Sequence, residues 1–395
     1  MQGQEKVSLL DKAKKYSTIK YTLAIIDCLY MISLLLLFQG LGLSRILTNI
    51  LYKSISVNYL VIPAYLLAVY ILYYFLNFPL NFYHSFILEH KFCLSNQKIQ
   101  DWLKDQIKAG VISYIIVLIL IAAFYYILRH YIHTWWLVVS CFWVFLSLIL
   151  ARVMPVLIIP LFFKYKPLTD TTLRERIINL AGRMKVMILD VFEIDLSKKT
   201  AKANAAFVGV GKTKRIILSD TLKDKYSYDE IEVILAHEFA HYKLKHLLKL
   251  ILLNSFATII TLFIIFKTSA YTLSLFGLGA LSDIAALPIV LIYFMILGIM
   301  MQPFQNYISR RLERNADIAA LNATGFKEAF VSMMEKLASQ NLADRNPHPL
   351  IKFFFFDHPP VDERIALAKL LPSQNQAKPP AKDNSSLTGN YAGVE

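Results

Sequence analysis

Charge is scarce in this chain of 395 residues, and cysteine is scarcer. Only 18% of residues are charged while 56% are hydrophobic, which excludes an ordinary soluble globule, where about a quarter are charged. The three cysteines, Cys28, Cys93 and Cys141, are odd in number, far apart and mostly in or beside apolar runs. They make neither a disulfide framework nor a CxxC metal pair. No repeat of fixed period is present. The first apolar run is too long for a cleavable signal peptide, and no small-residue cleavage site stands out after it.

What the chain does have is apolar runs long enough to cross a bilayer, which takes about 20 residues. Six are expected, at 22–43, 59–82, 111–130, 135–163, 247–267 and 284–304. The fourth is long, and either tilts or runs into an interfacial segment around Pro155 and Pro160. The net charge of +14 is unevenly spread. Basic residues gather in the N-terminal segment (Lys6, Lys12, Lys14, Lys15, Lys20), in 90–108, in 164–249 and after Arg310. The other connections carry few. With six spans the two sets face opposite sides, and the basic set, with both termini, is expected in the cytoplasm. This pattern reads as membrane topology and argues against a nucleic-acid partner.

Two polar regions follow from the same pass, 164–246 and 305 to the end, the last part (373–395) having the composition of a disordered tail. Four spans in 1–163 therefore precede a domain over 164–372 that includes the last two. Within it "TTLRERIINLAGRMKV" has helical spacing, whereas "VFEIDLS", "NAAFVGVG" and "RIILSDTL" read as strands. Ser227 and Glu230 form a capping box that starts a helix at about 228. With no Gly or Pro before the fifth span, that helix and the span read as nearly continuous.

The helix carries "HEFAH", residues 237–241. Residues four apart lie about 40° apart around a helix, so the imidazoles of His237 and His241 can point at one ion. Glu238, about 100° away, can reach a water on that ion without ligating it. Zinc acidifies such a water and the glutamate takes its proton; the bland alternative is a surface histidine pair. An open catalytic zinc site needs a third protein ligand. The HExxHxxGxxH pattern is excluded, because Leu244 and Leu247 stand where its Gly and third His belong. On a continuous helix His246 lies about 180° from His237, as a solvated or interfacial residue. Downstream, "SRRLERNAD" places Glu313 and Asp317 on one helical face. One carboxylate can ligate while the other orients an imidazole. Alone, that segment reads equally as an exposed helix with salt bridges from Arg310, Arg311 and Arg314. Beside HEFAH, Glu313 is the expected third ligand. The fifth and sixth spans, folded as a hairpin, would bring it to the histidines at the cytoplasmic membrane face.

"AFVGVGKT" (206–213) looks like a phosphate-binding loop with Ala206 for the first Gly. That motif needs a helix next, and "KRIILSD" reads as a strand; a hairpin turn is expected, and no nucleotide.

Taken together these residues resemble the type I CaaX prenyl proteases, integral-membrane zinc metallopeptidases. The likeness rests on "HEFAHYKLKH", "SRRLERNAD", "DLSKKTAKANAAFVG", "HPPVDER" and "FPLNFYHSFILEHKFCLSNQKIQDWLKDQIK", and covers most of the chain. It implies a mainly α-helical polytopic membrane protein. Its transmembrane helices would enclose a chamber, with a zincin-type domain of helices and a small β-sheet at the cytoplasmic end. It implies one Zn2+ on His237, His241 and Glu313, with Glu238 as general base. Asn204 would lie on a strand holding the substrate backbone, and His358 would stabilise the oxyanion. Asp317 would support a ligating histidine and Arg364 would brace the site. For Asn204 and His358 alone, a turn asparagine and an exposed loop histidine are the plain alternatives. The implied partners are the bilayer and membrane-associated or lipid-modified peptide substrates. Asp27 and Arg152, charged within spans, would face a wet interior or snorkel to an interface. Eukaryotic members carry seven spans and six are read here, a compact form that looks bacterial. The plasma membrane is then the expected location, or the endoplasmic reticulum in a eukaryote. Two rivals remain open: a quality-control protease with no need of a prenyl group, and a non-catalytic zinc-binding scaffold.

Overall fold

A computed structural model describes residues 2–153, 159–208 and 215–372; the tail expected over 373–395 lies outside them. Five helices in the described residues are long and apolar enough to cross a membrane: Leu9–Gly40, Asn58–Lys91, Ile99–His130, His246–Leu275 and Ile284–Thr324. In lipid a segment has no water for its N–H and C=O groups, and a helix satisfies them internally. The fourth expected span is a shorter apolar helix, Trp135–Ala151. Pro155 and the Arg152 side chain lie outside the described residues.

In chain order the helices are α1 (Gln2–Gly40), α2 (Leu43–Ser54), α3 (Val61–Phe82), α4 (Ile99–His130) and α5 (Trp135–Val153). Pro79, inside α3, has no N–H for the ladder and its ring crowds the preceding turn. A π-helical turn, Tyr83–Ile87, follows before the helix resumes to Lys91. Packing explains the shape. One apolar core sits at one end of the helices, joining Ile62, Tyr65 and Leu66 with Phe124–Leu128 residues, Trp135, and the 284–290 segment. Ser44 Oγ lies 2.6 Å from Tyr65 Oη and donates to the Ala285 carbonyl at 2.8 Å, tying α2 and α3 to that segment. Between this cap and the opposite end four helices are only partly covered. None of residues 18–38, 67–87, 111–123 or 291–302 is buried. A close-packed bundle buries one side of each helix along its length; these stretches do not, as walls around a hollow would not. Asp27 faces one part of it, a cavity of about 190 Å³ shared with Asn77, Asn81 and His84.

The opposite end is a compact domain. Helix α6 (Thr171–Arg183) is capped by Asp170, whose side chain accepts from Leu173 N. The sheet order is β1 (Tyr165–Pro167), β2 (Asp190–Ile194), β4 (Arg215–Ser219), β3 (Ala205–Val208). β1 pairs antiparallel with β2, β2 parallel with β4, and β3 antiparallel with β4. A strand thus follows the "GKT" stretch, where a phosphate loop needs a helix; residues 209–214 themselves lie outside the described residues. β3 is an edge strand. Helices α7 (Tyr228–Lys243), α8 (His246–Leu275), α9 (Leu287–Thr324), α10 (Lys327–Gln340), α11 (Pro349–Phe355) and α12 (Val361–Leu370) complete the chain. Their core joins Leu173, Ile177 and Leu180 of α6 to Ile216 and Leu218 of β4, Phe239 of α7, Ala316 of α9 and Phe330 of α10.

Candidate metal centre

The expected capping box starts α7: Glu230 N donates to Ser227 Oγ at 3.3 Å and Ser227 N to Glu230 Oε2 at 2.7 Å. Glu230 is buried but satisfied, taking 2.6 Å bonds from Ser332 Oγ and Lys336 Nζ. A second buried carboxylate, Glu232, meets Arg176 at 2.5 Å and Arg183 at 3.1 Å. These pairs fix the helix on α6 and α10, and Phe239 and Ala240 set its inner face in the core.

One turn after HEFAH the chain departs from the expected continuous helix. Leu244 (φ −84°, ψ 2°) ends α7 and Lys245 adopts the left-handed conformation (φ 55°, ψ 38°) before α8 begins. No Gly or Pro announces this break. It turns His246 back toward the site: His246 is 1% exposed, and its Nδ1 lies 3.0 Å from His241 Nδ1. The reading of His246 as a solvated or interfacial residue on the far side is therefore corrected, since it assumed an unbroken helix.

Helix α9 crosses α7 as one uninterrupted helix of 38 residues and places Glu313 against both histidines. Glu313 Oε2 is 3.2 Å from His237 Nε2, Oε1 is 3.2 Å from His241 Nε2, and the two Nε2 atoms are 3.0 Å apart. One turn on, Asp317 Oδ1 is 2.9 Å from His237 Nδ1. Arg364 of α12 donates two bonds to Asp317, Nε to Oδ2 at 2.8 Å and Nη2 to Oδ1 at 2.5 Å. His358 joins from the loop before α12, its Nε2 3.4 Å from Glu313 Oε2 and its Nδ1 2.8 Å from Asp357 Oδ1. Asn204 lies elsewhere, just ahead of β3, its N bonded to Ser219 Oγ at 3.0 Å and its side chain exposed.

This donor set fits a metal. Asp317 beside His237 Nδ1 and His246 beside His241 Nδ1 leave both Nε2 lone pairs facing inward. They meet a carboxylate whose buried Oε2 has no hydrogen-bond partner. His237, His241 and Glu313 each offer an atom within 4.8 Å of the others. Three converging acceptors repel one another unless a cation lies between them. Two imidazoles and a carboxylate with an open position are a catalytic zinc set.

The electrostatics describe a pocket whose carboxylates attract positive charge. Burial would lower the His237 pKa, but Asp317 and Glu313 reverse this and raise it to about 9. Glu238 is raised above the usual carboxylate range by burial, against the lowering pull of His237 and His241. His358 is raised as well: burial lowers it, while Asp357 and Glu313 outweigh that. Arg364, largely buried, keeps its charge through Asp317. A raised base beside a metal-ligand cluster is the arrangement general-base chemistry uses.

Comparison with known proteins decides the family. Residues 167–370 match the model of peptidase family M48. The chain belongs to family M48. Residues 2–164 match the model described as "CAAX prenyl protease N-terminal, five membrane helices". The "uncharacterized metalloprotease YhfN" of Bacillus subtilis is 31% identical over 368 residues, covering 92% of this chain and 86% of that protein. CAAX prenyl protease 1 of Saccharomyces cerevisiae is 31% identical over 309 residues, covering 73% and 68%. The crystal structure of S. mikatae Ste24p superposes with a TM-score of 0.83 at 24% identity, over 91% of this chain and 89% of that one. This M48 protein is thus an integral-membrane metalloprotease with the Ste24p fold.

Proposed function

We propose that this M48 protease is a zinc enzyme that removes the last three residues from lipid-modified C termini at the cytoplasmic face of its membrane, the plasma membrane in a bacterium. The observation that carries this is the site's position: His237 and His241 lie one short break before the span that begins at His246, and Glu313 lies on a helix that is itself continuous with a span, so the three groups meet where the peptidase domain joins the apolar helices. A peptide tethered by a lipid chain suits such a place. Residues 1–163 would form the membrane region and 164–372 the peptidase domain with two further spans.

His237, His241 and Glu313 would hold the zinc ion, which when bound would supply Lewis acidity to the reacting carbonyl and water. The rest falls to the chain's own groups. Glu238 takes the water's proton and returns it to the leaving amine, its raised pKa bringing it nearer the working pH. His358 donates to the developing oxyanion, and Asp357 on its Nδ1 holds the ring with Nε2–H toward the site. Asp317 fixes the His237 tautomer, and Arg364 keeps Asp317 charged and oriented. The substrate backbone adds to the free edge of β3, with Asn204 at the start of that edge.

The test is cleavage of matched farnesylated and unmodified CaaX peptides by zinc-loaded protein, with Glu238→Gln as control. Trimming of the lipidated peptide alone, slowed by about a hundredfold or more in the variant, supports the proposal. Equal cutting of both keeps the chemistry and favours a quality-control protease. No cleavage by folded, metal-loaded protein overturns both and leaves the scaffold reading.

A further inference from the structure

Beyond the metal, the structure carries an uncompensated positive charge at one end of the edge strand. Tyr16 of α1 donates to Glu89 Oε1 at 2.5 Å, and Lys202 Nζ lies 2.8 Å from Glu89 Oε2 and 3.2 Å from Tyr16 Oη. Glu89 is thereby matched by one lysine. Lys20, one turn after Tyr16, places a second ammonium 5.5 Å from the Tyr16 ring centroid, on which Lys202 also stands at 5.7 Å. Lys20 makes no ion pair among the described residues. Its face of α1 continues through Leu23, Ala24 and Asp27 along the 190 Å³ cavity. Two half-buried cations and one carboxylate leave room for one more anion.

Strand polarity says which anion. Ser219 N donates to the Asn204 carbonyl, and Ala206 faces Ile217 in the β3–β4 register. Antiparallel alternation therefore turns the even-numbered backbone groups toward β4 and leaves those of Ala203, Ala205 and Phe207 on the free edge. A peptide added antiparallel there runs its C-terminal end toward Lys202; added parallel, it would bring its N-terminal end to the same cations. The length also fits. Phe207 packs on Phe239, beside Glu238, at 5.6 Å between ring centroids. From Phe207 to Lys202 is about 16 Å of strand, and a released tripeptide spans about 10 Å. The lysine's four-carbon stem covers most of the remainder.

We propose that Lys20, seconded by Lys202, binds the free C-terminal carboxylate of the substrate and so fixes the cut at a set distance from the chain end. This rests on the protease reading above and adds a ruler to it. The test compares two farnesylated CaaX peptides, identical except that one ends in a carboxylate and the other in a carboxamide. Wild type should cut the acid with a kcat/KM higher by about tenfold or more, the worth of one charge-assisted contact. Lys20→Met should bring the two peptides to parity, and Lys20→Arg should restore the preference. Equal rates for acid and amide with wild type, or equal slowing of both by Lys20→Met, would overturn the carboxylate site while leaving the protease intact. Cleavage of neither by wild type would remove both.

Discussion

His237 and His241 sit on the same helix, yet each has its Nδ1 held by a different neighbour. Asp317 lies 2.9 Å from that of His237 and His246 3.0 Å from that of His241, so the inward-facing nitrogens of the candidate metal group are oriented by residues outside it. The two groups that would move protons carry opposite requirements. Glu238 must be ionised to act as base, so activity is lost as pH falls through its raised pKa. His358 must be protonated to donate most strongly, so activity declines as pH rises through its own raised pKa. A bell-shaped kcat/KM profile is expected, its acid limb above the ordinary glutamate range. Asp357 lifts the His358 value, hence Asp357→Asn should shift the alkaline limb to lower pH and leave the acid limb in place. A profile in which both limbs move together would assign Asp357 another role. The pairing of His237 with His241 was legible at this scale because HExxH is a fixed helical geometry. Asp317 was legible from its place one turn after Glu313, but Arg364, 47 residues further on, and His358 have no spacing that joins them to it; only the family likeness pointed there.

At the scale of elements the decisive feature is the break between α7 and α8. A lysine in the left-handed region costs about 1–2 kcal/mol against the right-handed form, while glycine adopts it freely at an entropic cost of about 0.5–1 kcal/mol. Lys245→Gly is therefore expected to be neutral to stabilising, by up to about 1 kcal/mol, measured by thermal unfolding in detergent. Lys245→Ala retains the strain and should not share the gain. The break was invisible in the sequence because the residue at it is an ordinary helix former, and its cause is tertiary: α8 has to leave the domain while His246 packs under His241. The capping box, α6 and the three apolar strands were legible, each from its own local chemistry. β1 was not, being three residues long and containing a proline that local pattern marks as a breaker. The apolar runs showed where the membrane is crossed but underestimated the helices. Runs end where polar residues begin, whereas α9 continues through Arg310 and Glu313 to a left-handed Gly325.

For the whole molecule, burial at two ends with little between means that the wall helices are supported along their middles by lipid outside and by whatever fills the hollow inside. α9 spans this arrangement from end to end. Its first turn, Leu287–Val290, is locked into the distal cap, and Glu313 lies 23 residues further along the same helix, about 35 Å away. Pro303, between them, removes one ladder bond and loosens the rod at that level. Helices accommodate a thinner or thicker bilayer by tilting or kinking, and here a tilt about the distal anchor displaces a ligand carboxylate relative to two imidazoles on a different helix. In vesicles of graded acyl-chain length, zinc affinity and peptidase rate should therefore pass through an optimum together. Rates that vary while zinc affinity stays constant would place the sensitivity in substrate access. The carboxylate proposed to complete the metal site would in this sense be suspended from the far side of the membrane, and the thickness of the bilayer would become one of the coordinates of the active site.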